Sequence, residues 1–128
     1  MSVEPKTWVR AVTGAVAAGI LLLSLLPVPQ PHLSGVHFLD KILHALAYLC
    51  LSFLLFASQL PGPRPRLVLV SVSASLLLGG LIELIQPLTL RDRELADLAA
   101  DLAGAVAGAL LALALVGLLK RLLLRPDR

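Results

Sequence analysis

The stretch Phe38–Leu60, FLDKILHALAYLCLSFLLFASQL, decides the fold. It is long enough to cross the hydrocarbon core of a bilayer, which takes about 20 helical residues at roughly 1.5 Å each. Its opening carries Asp40, Lys41, His44 and Tyr48. Asp40, His44 and Tyr48 are spaced i, i+4, i+8, and Lys41 lies three residues before His44. A helix therefore gathers all four on one broad face and leaves leucine, alanine and phenylalanine on the other. A charge at bilayer depth costs about 2.5–3.5 kcal/mol on insertion scales, so such groups pair with one another or line a cavity.

Three further apolar runs have the same character: Trp8–Leu26, Arg66–Gln86 and Ala96–Leu119. With 128 residues, 58% hydrophobic and 15% charged, the chain lacks the polar surface of a soluble domain and has the composition of a polytopic membrane protein. The expectation is one all-α domain over residues 1–128, an integral membrane four-helix bundle with antiparallel neighbours, since the loops are short and the number of spans is even. The first loop is rich in proline, the second reads QLPGPRPR, and Pro87 closes the third run. The first run is read as an uncleaved helix, because Leu26, Pro27, Val28, Pro29 and Gln30 offer no small-residue cleavage site. Cys50, the only cysteine, excludes an intrachain disulfide and reads as a packing residue.

The net charge of +3 does not point to nucleic acid, because the basic residues are dispersed at helix ends rather than gathered in one stripe. Topology accounts for them. Lys6, Arg10, Arg64, Arg66, Lys120, Arg121, Arg125 and Arg128 flank one side of the helices, against Lys41, Arg91 and Arg93 on the other. The positive-inside rule then puts both termini and the middle loop in the cytoplasm, with the polar layer facing outward. The tail over residues 120–128 is expected to lie as a short interfacial helix drawn to anionic headgroups.

Around the Asp40 face, two other runs supply polar residues near the same side of the bilayer. Glu83 and Gln86 share a face at the end of the third run. Arg91, Asp97 and Asp101 lead into the last. Asp97 and Asp101 are i, i+4 neighbours, and Gly104 and Gly108 continue their stripe, so both carboxylates point at packed interior. Two such acids need Arg91, Arg93 or Lys41 nearby. Asp97 also has a structural use, because a helix N-terminus favours negative charge. Lys41 has one as an interfacial snorkelling residue, His44 and Tyr48 have one as bonds between helices, and Asp92, Glu94, His32 and His37 read as solvated. The Gly104-x-x-x-Gly108 pattern lets backbones approach closely in lipid, either inside the bundle or at a homodimer face.

With these residues in place the chain resembles the VanZ-like family of small membrane proteins, over about Pro27 to Gly108. The matching elements are Asp40-Lys41-x-x-His44-x-x-x-Tyr48, Glu83-x-x-Gln86, Arg91 with Asp97 six residues on, and Gly104 with Gly108. The position four after Asp97 is usually asparagine in that family and is Asp101 here. The resemblance implies a bacterial cytoplasmic-membrane location and a link to resistance against the glycopeptide teicoplanin. It implies no reaction.

Four functional readings follow. In the first, an outward pocket made by Asp40, Lys41, His44, Tyr48, Glu83, Gln86, Arg91, Asp97 and Asp101 binds a cell-envelope lipid headgroup or a glycopeptide-like ligand, anionic or glycosylated, with Lys41 and Arg91 pairing its anion. In the second, a membrane enzyme uses His44 or Glu83 as general base on such a lipid. The third, ion coupling, suffers because no polar path continues toward the cytoplasm, and the fourth is purely structural. No cofactor is expected. No metal is either, because His44 and the carboxylates are suitable ligand types without recognised ligand spacing.

Overall fold

The computed structural model describes residues 5–26, 34–89 and 95–124. Its elements are α1 (Pro5–Leu25), α2 (Ser34–Ser58), α3 (Arg64–Ile85) and α4 (Leu95–Leu123), with a 3-10 turn over Gln86–Thr89 between the last two. All four helices are long and apolar enough to cross a membrane. The protein is an all-α, multi-pass membrane bundle.

Local chemistry sets the helix ends. The last turn of α2 tightens into i→i+3 bonds, from Gln59 N–H to Phe56 O and from Leu60 N–H to Ala57 O, each at 3.3 Å, just before Pro61. Pro63 caps α3 in an extended conformation and a proline sits at the first positions of the helix, where a missing N–H costs nothing and the fixed φ suits helical geometry. Pro87 ends α3 by turning the chain into the 3-10 segment. In α4, Asp97 stands in the first turn and Lys120 and Arg121 in the last, matching the positive and negative ends of the helix dipole. Residues 120–123 continue α4 without a break. The tail is thus helical as far as Leu123, and residues 125–128 lie outside the described residues.

Helices adjacent in sequence run antiparallel, as expected. The closest pair, however, is parallel. Lys41 meets Asp97, Ala45 meets Gly104 and Leu49 meets Gly108, so the pairing rises along α2 and α4 in the same direction. Gly104 and Gly108 make this possible. A Cβ on Gly104 would overlap the carbonyl of Ala45 and lie 2.9 Å from its Cα, and one on Gly108 would do the same to Leu49 at 3.0 Å. The small-residue stripe is thus occupied by α2 of the same chain, and a homodimer through these two glycines would have to displace α2. Helix α3 packs against both members of the pair, while α1 lies at the edge against α2 and α3.

Lipid is as apolar as leucine, so sorting by hydrophobicity does not drive helices together within a bilayer, and close packing of small and polar residues does. The bundle is built accordingly. Its interior holds Ser52, Ser71, Ser75, Gly79, Gly104, Ala105, Gly108 and Ala109, whereas Leu77 is 74% exposed and Leu84 62%. A conventional apolar cluster of Phe56, Leu67 and Ala112 fills the end beside the α2–α3 loop. The opposite end holds the buried carboxylates, Asp97 and Asp101.

Candidate functional site

The parallel pairing of α2 and α4 brings two helix openings to one end of the bundle, and with them two cross-helix polar pairs. Lys41 Nζ donates to Asp97 Oδ1 at 3.2 Å, with side chains 30% and 9% exposed respectively. One turn deeper, His44 Nδ1 lies 2.9 Å from Asp101 Oδ1, with exposures of 13% and 2%. The ring N–H donates and the carboxylate accepts when the imidazole carries its proton on Nδ1. The site is therefore graded, from a half-open ammonium at its mouth to a buried carboxylate at its floor.

Helix α3 closes that floor. Tyr48 is buried, and both its hydroxyl and Asp101 Oδ2 lie over Gly79, where a Cβ would come within 3.2 Å and 2.7 Å of them. Gly80, the next residue, has nothing within 4 Å of its Cβ position. Gly79→Ala is expected to lower the thermal midpoint of the detergent-purified protein by several degrees while Gly80→Ala leaves it within about a degree, since overpacking costs about 1–3 kcal/mol where neighbours cannot move. Equal midpoints for the two variants would show that Asp101 and Tyr48 are not held against α3.

Of the residues singled out by sequence, Asp40, Lys41, His44, Tyr48, Asp97 and Asp101 are brought together. Glu83 and Gln86 come from the end of α3 and the turn that follows it. Glu83 is half-buried and borders a groove of about 590 Å³ between α3 and α4, whose other walls are apolar and include Leu77, Gly80, Leu95 and Leu98. Gln86 is buried and its Nε2 donates to Ser24 O on α1 at 3.4 Å, a bond that ties the end of α3 to α1. Arg91 and Arg93 lie outside the described residues, as do Asp92, Glu94 and His32.

Sequence reasoning passed over the buried serines. Ser52, Ser71 and Ser75 are fully buried, and Gln59 Nε2 reaches Ser71 Oγ at 3.4 Å, so single polar side chains occur well past Tyr48. They do not make a continuous relay. Ser71 and Ser75 donate to the carbonyls of Leu67 and Ser71 in their own helix, at 2.6 Å and 2.8 Å, and Ser52 Oγ has no hydrogen-bond partner among the described residues. The i, i+4 spacing of Ser71, Ser75 and Gly79 was the available signal.

A second feature was hidden by its distribution over two helices. One ligand-type atom each from Asp40, His44 and Asp97 lie within 4.8 Å of one another. No local ligand spacing announces this set, since Asp97 arrives from a helix more than fifty residues downstream of Asp40 and His44.

No protein-family model, no curated protein and no solved structure matches the chain. The likeness to VanZ-like proteins rests on the residues quoted for it alone.

Proposed function

We propose that this multi-pass protein sits in the bacterial cytoplasmic membrane with both termini inside, and that its polar end, facing outward, binds the phosphate-bearing headgroup of a cell-envelope lipid. The observation that carries the reading is the adjacency of a charged cluster and an apolar groove. Leu95 and Leu98 flank Asp97 in sequence and wall the groove, while Asp97 itself turns to Lys41. A groove of about 590 Å³ falls within the roughly 300–1,000 Å³ common for ligand sites, and its apolar walls suit an acyl chain better than a glycopeptide. Lys41 meets the phosphate as a point charge, Arg91 adds a bidentate fork, and Glu83 and Asp97 accept headgroup hydroxyls. A contribution to teicoplanin-type resistance would follow through control of such a lipid, in keeping with the VanZ-like resemblance.

The buried Asp101 against His44 favours one other reading, in which the imidazole is a general base held by a carboxylate. One experiment separates them. Native mass spectrometry of the gently purified full chain is expected to find retained phospholipid, reduced at least five-fold by Lys41→Ala or Arg91→Ala. Identical lipid profiles in all three proteins would sink the binding reading. Loss of a labelled envelope lipid to product on incubation, abolished by His44→Gln, would move the assignment to an enzyme.

A further inference from the structure

We infer that Asp40, His44 and Asp97 form a site for one divalent transition-metal ion, of the zinc or manganese class, at the mouth of the α2–α4 interface. The three offer an imidazole nitrogen and two carboxylates, a set that borderline ions accept. Their ligand-type atoms already lie within 4.8 Å of each other. On a tetrahedral ion with bonds of about 2.1 Å, ligand atoms stand about 3.4 Å apart, so closure takes roughly an ångström of side-chain movement. Asp40 and His44 are one helical turn apart on α2 and only part-buried, which leaves room for that movement.

An observation outside the triad supports it. Metal-bound histidines characteristically donate their other ring N–H to a carboxylate, which fixes ring and tautomer and raises ligand basicity. His44 Nδ1 is 2.9 Å from Asp101, whose side chain is 2% exposed. With Nδ1 committed there, Nε2 is the nitrogen that presents a lone pair.

Lys41 competes for Asp97, holding its Oδ1 at 3.2 Å. A carboxylate has two oxygens and can serve two partners, and the lysine stem is long enough to swing its ammonium toward solvent. Three protein ligands would leave a coordination position open for water or a ligand oxygen. The ion does not depend on the lipid reading. It would nevertheless reconcile an acid-rich cluster with a phosphate ligand.

The test is calorimetric titration of ZnCl₂ and MnCl₂ into chelator-treated full-length protein in lipid-free detergent, with MgCl₂ and CaCl₂ as controls. One saturable zinc or manganese per chain is expected. Asp40→Asn, at a part-buried position, should weaken binding at least ten-fold, and Asp101→Asn, by releasing the ring, about 10–100-fold. Lys41→Met should strengthen it several-fold, the opposite of its effect on lipid retention. X-ray absorption should report one nitrogen and otherwise oxygen ligands. Absence of saturable uptake, or uptake unchanged in Asp40→Asn, overturns the inference, and either result leaves the lipid profiles of Lys41→Ala and Arg91→Ala to be judged separately.

Discussion

Gly104→Ala and Gly108→Ala should each destabilise the bundle by about 3 kcal/mol, the upper end of what overpacking costs, and the double variant should not be recovered as folded protein. A Cβ at either position meets backbone. For Gly104 it would stand 2.8 Å from the carbonyl carbon and 2.9 Å from the Cα of Ala45, atoms that no rotamer change can move aside. The helices must separate instead, and the pairs Lys41–Asp97 and His44–Asp101 are carried by the same two helices. Total stability of a domain is about 5–15 kcal/mol, so two such insults, about 6 kcal/mol together, reach the lower end of that range. Gly14→Ala is the control, because nothing lies within 4 Å of its Cβ position and alanine is the better helix former by about 1 kcal/mol. Thermal unfolding in detergent, read by fluorescence-detected size exclusion, would show this. Equal midpoints for Gly104→Ala and Gly14→Ala would mean that α2 and α4 are not in backbone contact.

His44→Leu should cost about 3 kcal/mol, whereas Asp101→Leu should cost nearer 1 kcal/mol, and the double variant His44→Leu with Asp101→Leu should be more stable than His44→Leu alone. Removing one member of a buried charged pair is expensive because of what remains behind. Without His44, Asp101 keeps a carboxyl group in a place with 2% exposure. Without Asp101, His44 keeps an imidazole that is 13% exposed and can be neutral. Interhelical hydrogen bonds in a membrane host average only about 0.6 kcal/mol by double-mutant cycle, so the orphaned acid and not the lost bond dominates the difference. Chemical unfolding of the four proteins gives the cycle directly. If the double variant is the least stable of them, the buried carboxylate is not the source of the cost.

Much of this architecture is legible in the chain. Hydropathy over about 20 residues located four spans, and three of their eight ends fall within one residue of those observed. The i, i+4 spacings of Asp40 with His44 and of Asp97 with Asp101 were enough to place these residues on inward faces, because a charge facing lipid is so costly. Which faces meet is another matter. Short loops speak only for sequence neighbours, so they could announce the antiparallel pairs but not the parallel contact of α2 with α4, which depends on Gly104 and Gly108 finding Ala45 and Leu49. The same limit applies to Gln86. It shares a helical face with Glu83, and its amide also reaches Ser24 O on α1, a contact that spacing within one helix cannot announce. Buried serines were missed because a hydroxyl that bonds its own helix, as Ser71 does with Leu67 O, leaves no trace in hydropathy.

The parallel pairing also fixes an order of manufacture. Lys41 and Asp97 are 56 residues apart, so at a synthesis rate of about 5–20 residues per second the lysine waits roughly 3–11 s for its carboxylate to be translated. Helix α3 arrives earlier, bringing Gly79 to the place where Asp101 will later sit. The nascent chain therefore holds an unfinished seam until α4 leaves the ribosome, and quality-control proteases that recognise exposed intramembrane polarity have that interval in which to act.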